Sequence, residues 1–359
     1  MTFYEQRLST DREEILRRVV TVGRQVSGAV STAVEALLDR DEAACARVIL
    51  GDLPINREVR AINRQCHRFI ARHLPSGIHL RFVSAVLQMN VGLERIGDYA
   101  VTIAREGVQL SAAPTGALAD ELRALARQAT TVLGHALDAF EGQDASLARH
   151  TKPEAKSVGR TFAQIYREFA QRGSDLPLTD ALALLSVFHR LERVSDQAKN
   201  LCEDTLFELT GETKPPKRYE ILFVDARGTI AAPLAAALGR KAFPESGNFS
   251  SAGYQAGDAL APELLTLASE LSLDVSGPER LPSSVEELEK YHVIVGLNPG
   301  VRGQLKNLPY STVFLQWDVP RLADAVTGAD LHGKLRDLSR ELSNQVLELM
   351  TTMRGDDAS

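Results

Sequence analysis

Apolar residues at Ile15, Val19, Val22, Val26, Val30, Ala33 and Leu37 recur in steps of three and four, a spacing that predicts one stripe of a long amphipathic helix. Leu37-Leu38-Asp39-Arg40-Asp41 closes it. A second helix is expected over residues 42 to 73, then a break at Leu74-Pro75-Ser76-Gly77, then a third helix over 78 to 110. After Ser111-Ala112-Ala113-Pro114-Thr115-Gly116 the same events repeat. Helices are expected over 117 to 141 and on to about 171, with a break at Gly142-Gln143-Asp144. A further break at Gly173-Ser174-Asp175-Leu176-Pro177 precedes a last helix ending near Leu209-Thr210-Gly211. Short connections favour antiparallel neighbours, so the pattern predicts two up-down-up three-helix bundles.

The period changes after Gly211-Glu212-Thr213-Lys214-Pro215-Pro216, a stiff spacer. Tyr219-Glu220-Ile221-Leu222-Phe223-Val224 reads as a buried strand, and further strands are expected near 248 to 253, 292 to 296 and 312 to 315. Helices are expected over 233 to 243, 262 to 271, after Asn298-Pro299-Gly300, and over 329 to 353. Strands alternating with helices imply a parallel sheet covered on both faces. The expected organisation is therefore multidomain: all-α repeats over 1–112 and 113–212, a linker at 213–218, and an α/β domain over 219–359.

A single motif occurs twice among the helices. Leu93-Glu94-Arg95-Ile96-Gly97-Asp98-Tyr99-Ala100-Val101-Thr102 is echoed 98 residues later by Leu191-Glu192-Arg193-Val194-Ser195-Asp196-Gln197-Ala198-Lys199-Asn200. A Glu and an Asp four apart on a helix share a face, so each copy aims two carboxylates in one direction, an arrangement that suits a cation. Applying the same offset to the second helices matches Asp52 and Asn56 with His150 and Glu154, which would add oxygen donors beside each motif. Asn200 extends the second copy where the first has Thr102, making the second repeat the expected better metal site. The plainer alternative is a solvated face in which Glu94 or Glu192 pairs with Arg95, Arg193 or His189.

Composition narrows the function. At 359 residues, 44% hydrophobic and 25% charged, the chain is ordinary globular material. A net charge of −6 argues against a nucleic-acid footprint. No apolar run reaches the roughly 18 to 20 residues of a membrane span, and the N-terminus lacks the apolar run of a signal peptide, so a cytoplasmic protein without membrane insertion is expected. Cys45, Cys66 and Cys202 make an odd number without CxxC spacing and read as buried small hydrophobes.

The duplicated motif, with His79-Leu80-Arg81-Phe82-Val83 and Leu206-Phe207-Glu208-Leu209-Thr210-Gly211-Glu212, resembles the PhoU family of phosphate-signalling regulators over about 5 to 212. The resemblance implies metal clusters of magnesium, zinc, iron or manganese and a cytoplasmic homodimer. It also implies partnership with the ATPase subunit of a phosphate ABC transporter and with a membrane sensor histidine kinase. Carried over residue by residue, the metal positions are Asp52, Glu94, Asp98, Glu154, Glu192, Asp196 and Asn200. Asn56, Thr102 and His150 depart from the family pattern.

Residues 219 to 350, from Ile221-Leu222-Phe223-Val224 through Ser251-Ala252-Gly253 to Val293-Ile294-Val295, resemble the low-molecular-weight protein tyrosine phosphatases and their arsenate reductase relatives. That family needs a Cys nucleophile, an Arg for the oxyanion and an Asp acid. Here Asp225 stands at the Cys position, Ala231 at the Arg position, and Arg321 about where the acid belongs, with Asp318 nearby. No cysteine follows Cys202, which excludes a thiolate mechanism, and a catalytically inactive pseudophosphatase is expected. Arg227 and the amides of Gly228, Thr229, Ile230 and Ala231 remain candidates for anion binding without turnover. A rival reading likens Asp225-Ala226-Arg227-Gly228-Thr229 to the haloacid-dehalogenase signature and makes Asp225 a phosphohydrolase nucleophile, although the second Asp of that signature is Arg227. An arsenate reductase-like activity using an external thiol is the other enzymatic alternative. The expected function is regulation of phosphate uptake and phosphate-starvation signalling.

Overall fold

The structure, a computed structural model, describes residues 3–172, 176–213, 217–305, 308–309, 311–319 and 329–355, except for the side chains of 167–172 and 329–330. It divides into two compact units, a helical one over Met1–Lys214 and an α/β one over Pro215–Ser359.

The helical unit consists of α1 (Phe3–Asp39), α2 (Glu42–His73), α3 (Gly77–Gln109), α4 (Ala117–Glu141), α5 (Ala145–Arg172) and α6 (Leu178–Thr210). Each begins and ends within a few residues of its break in the hydrophobic pattern, except that α1 starts about three turns earlier than its first strong apolar stripe. The break expected over 173–177 lies partly outside the described residues. Asp41 caps α2 by accepting from Ala44 N at 2.8 Å. Within each repeat the three helices pack on one another, as the two expected three-helix bundles. α3 packs against α6 and α1 against α4, so both repeats share one apolar interior containing Ile15, Phe82, Leu93, Phe140, Phe188 and Leu191, with α2 and α5 on the flanks. All three cysteines are buried, and burial pushes the Cys66 and Cys202 thiols up to about 12.

In the α/β unit the order is β1 (Tyr219–Asp225), α7 (Ala231–Ala242), β2 (Gly247–Gly253), α8 (Pro262–Glu270), α9 (Val285–Leu288), β3 (Val293–Gly296), α10 (Val301–Gln304), β4 (Val313–Gln316) and α11 (Ala329–Arg354). The four strands pair in parallel in the order β2-β1-β3-β4. Alternation along β1 divides the core. Ile221 and Phe223 face α7, α8 and α11, while Leu222 and Val224 face Leu288, Val301 and Leu305 on the other side. The chain leaves β1 between its two neighbours, where the strand order reverses, so the loop after Asp225 lies at the switch point where ligands collect in such sheets.

Candidate functional sites

In the first helical repeat α2 brings Asp52 to the motif on α3. Asn56 Nδ2 donates to Asp52 Oδ2 at 2.6 Å, while Asp52 Oδ1 and Asn56 Oδ1 are buried without a hydrogen-bond partner. A methyl group on Gly97 would stand 2.8 Å from Asp52 Oδ1, so glycine is what lets α3 carry its motif this close to α2. Burial pushes the Asp52 carboxyl above its usual range; the charge of Asp98 and, more weakly, that of Glu94 add to it, while Asn56 and Arg105 oppose. Asp98 is exposed and Glu94 half-buried. Three carboxylates thus share one neighbourhood, and one of their oxygens is orphaned in the interior.

The second repeat differs. Arg193 Nη1 lies 2.9 Å from Asp196 Oδ2, and its Nε is 3.0 Å from Glu192 Oε2, an ion pair without the alignment of a hydrogen bond. Burial raises the Glu192 carboxyl, Asp196 adds to this and Arg193 opposes. Glu154 lies 3.0 Å from His135 on α4, and His150 donates from Nδ1 to the Ser146 carbonyl. Asn200 lines a cavity of about 390 Å³ between α3 and α6, with Arg95, Gln197 and Asp204. Asp204 was not singled out from the sequence; burial, with Glu203 beside it, pushes its carboxyl up to about 7.

The two repeats differ because their offset is not constant. It is 98 for α3 and α6, where buried Leu93, Ile96 and Ile103 match buried Leu191, Val194 and Leu201. For α2 and α5 the buried positions run at 103: Cys45 with Ala148, Val48 with Thr151, Ile62 with Ile165. The match of Asp52 and Asn56 with His150 and Glu154 is therefore corrected to Ala155 and Gly159. Contacts agree: Ser195 Oγ is 3.5 Å from the Ala155 carbonyl oxygen, where Gly97 faces Asp52 in the first repeat, and Gly159 approaches Glu192. The stretch from α5 to α6 is five residues shorter (103 − 98), so α5 keeps the packing register of α2 while its sequence offset differs, and an alanine and a glycine stand opposite the second motif. Among the described residues, no three His, Cys, Asp or Glu side chains are gathered tightly enough to hold a metal as they stand.

In the α/β unit, the loop after β1 folds around its own aspartate. Asp225 is 9% exposed; its Oδ2 accepts from Ala232 N at 2.9 Å and its Oδ1 from Gly228 N, with the Arg227 and Ala231 amides also turned toward it. Burial raises the Asp225 carboxyl and these amides partly offset the rise. Gly228 has φ +66°, and a Cβ there would stand 2.9 Å from Gly253 N, so glycine is required at the turn. The outward carbonyls are held as well: Gln255 N donates to Ala226 O at 2.8 Å, Gly257 N to Arg227 O at 2.8 Å and Ala261 N to Thr229 O at 3.1 Å. Of the anion candidates, Arg227 points an exposed side chain outward, Thr229 and Ile230 are half-buried, and the Gly228 and Ala231 amides face Asp225. Asp318 is exposed, and Arg321 lies outside the described residues.

Comparison with known proteins places the helical unit. The family described as PhoU domain matches residues 19–107 and 122–205. The phosphate-specific transport system accessory protein PhoU homolog of Pseudomonas aeruginosa is 30% identical over 211 residues, covering 57% of this chain and 86% of that protein. The crystal structure of PhoU from Pseudomonas aeruginosa aligns with a TM-score of 0.54 at 30% identity, over 57% of this chain and 99% of that one. Wzb from Vibrio vulnificus, solved in complex with benzylphosphonate, aligns over 38% of this chain and 99% of its own at 18% identity and a TM-score of 0.32. Among the described residues, no helix is long and apolar enough to cross a membrane.

Proposed function

The chain belongs to the PhoU family, and we propose that it regulates phosphate uptake and phosphate-starvation signalling, with a divalent cation held at Asp52, Glu94 and Asp98. Relatives carry the name of phosphate-specific transport system accessory proteins, which supports action alongside a phosphate transport system; the partners on this reading are the ATPase subunit of a phosphate importer and a sensor histidine kinase, with the chain acting as a cytoplasmic homodimer.

The observation that carries the cation is the orphaned Asp52 Oδ1, buried against Gly97 amid like charges. Leaving a buried carboxylate oxygen unpaired costs roughly 1 to 3 kcal/mol or more, and a cation relieves that cost. The donors, carboxylates and the Asn56 carboxamide, are all oxygen, which fits magnesium or manganese better than the softer zinc; iron fits less well for want of a histidine. A bound cation would neutralise the three carboxylates and tie α2 to α3. Glu192, Asp196 and Asn200 are the second candidate set, but Arg193 already supplies positive charge there and α5 offers no oxygen opposite. Glu154 is engaged by His135.

The α/β unit acts, on this reading, as a non-catalytic module. Asp225 occupies the loop amides that an external oxyanion would need, which also argues against its use as a nucleophile.

The test is complementation. A strain lacking this chain should express phosphate-starvation genes out of step with phosphate supply, and the wild-type gene should restore the normal response. The Asp52→Asn/Glu94→Gln/Asp98→Asn variant should fail to restore it while accumulating normally. A fully normal response with that variant would remove the cation from the account, and an unaltered reporter in the deletion strain would remove the regulatory role.

A further inference from the structure

The outward face of α2 carries a second feature. Leu50, Leu53, Arg57, Arg60, Arg64 and His67 are spaced by three and four residues in alternation, the seam spacing of two packed helices. The buried stripe of α2, including Val48, Val59, Ile62, Cys66 and Phe69, lies on its other side, so this seam is unused within the helical unit. Leu50 is 66% and Leu53 62% exposed, and the arginines and His67 are exposed as well. Among the described residues no ion pair engages Arg57, Arg60, Arg64 or the adjoining Arg68, and the nearby Glu58 is held by Arg18 at 2.7 Å. The helix holds six arginines against three acids, a net +3 on a chain whose total is −6.

We propose that this face docks a helix of another protein whose own seam is apolar at two successive positions and acidic along the next three or four. Charge complementarity selects that occupant. A second copy of this chain laid along the whole seam would bring arginine onto arginine in either direction, which is repulsive. A bilayer of anionic lipid would accept the arginines but has no use for alternate three and four spacing, and the two leucines lie at one end rather than along the face. Arginine's planar guanidinium suits paired contacts with carboxylates, so acidic residues in register add orientation as well as attraction. The inference is independent of the cation site, which uses a different face of α2.

The experiment uses the full chain and a fluorescent synthetic helix of about three heptads, with leucine at the first two seam positions and glutamate at the next four. Anisotropy should show saturable binding that a scrambled peptide of the same composition lacks. Arg57→Glu/Arg60→Glu/Arg64→Glu should weaken binding at least tenfold and switch preference to a lysine-seam version of the peptide. Should that variant melt early, Arg57→Gln/Arg60→Gln/Arg64→Gln replaces it, with the same loss expected. No binding by wild type, equal binding of the scrambled peptide, or an unchanged affinity in the variant overturns the proposal. So does arginine-dependent cosedimentation with phosphatidylserine vesicles by a chain that ignores the peptide.

Discussion

Replacing Asp225 by alanine tests whether its carboxylate holds the loop of the α/β unit together. The substitution removes acceptors from Ala232 N and Gly228 N and leaves both amides buried. Hydrogen bonds to a charged group contribute about 1.5 to 3 kcal/mol each, so the gross loss is roughly 3 to 6 kcal/mol. Some of this returns, because burial already disfavours the ionised carboxyl and the variant no longer carries that burden. A net destabilisation of about 3 kcal/mol is expected. Trp317 is the only tryptophan and its ring centroid lies 5.5 Å from that of Phe223 on β1, so its fluorescence follows this unit without interference from the helices. With a urea slope of about 2 kcal/mol per molar, the midpoint should fall by about 1.5 M. A fall under about 0.3 M would refute the idea that Asp225 serves as the occupant of its own amide cradle.

The remaining predictions concern the helices and the loop's chemistry. Arg12 Nη2 lies 2.7 Å from Glu208 Oε1, which is 1% exposed, and Arg12→Ala leaves that buried carboxylate without its cation; a loss of about 3 kcal/mol is expected in urea unfolding followed by far-UV circular dichroism. Because the folded Asp204 carboxyl is raised to about 7, its stabilising share is complete below about pH 4 and is lost as pH rises through about 7. Its side chain opens on a cavity, which discounts the effect, so Asp204→Asn should gain roughly 1 to 2 kcal/mol over wild type near pH 8 and nothing near pH 4; an equal gain at both would contradict it. The full chain should release no nitrophenol from para-nitrophenyl phosphate, with or without magnesium, and turnover abolished by Asp225→Asn would restore the phosphohydrolase reading.

Much of the architecture was legible in the residues. Steps of three and four mark all six helices of the helical unit because each buries a stripe, and the switch to short apolar runs after Tyr219 marks the sheet for the same reason. The repeat at 98 residues was visible because α3 and α6 pack on each other and keep the same buried register. The register of α5 was not, since α2 and α5 share no polar motif and their offset of 103 residues shows only in which side chains are buried. A single offset of 98 therefore set His150 against Asp52, whose counterpart by burial is Ala155, while the preference for the second repeat came from Asn200. One signal was present in the motif itself, where Gly97 stands in the copy that α2 approaches with a carboxylate and Ser195 in the other. The engagement of the amides by Asp225 was hidden because sequence shows which residue replaces a nucleophile but not where its oxygens point.

Anomalous diffraction from crystals of the full chain grown with manganese tests the central claim most directly. A peak is expected in the first helical repeat, bounded by Asp52, Glu94 and Asp98, and absent from an Asp52→Asn crystal grown alike. A peak confined to Glu192 and Asp196, or none in either repeat at saturating manganese, would contradict the account.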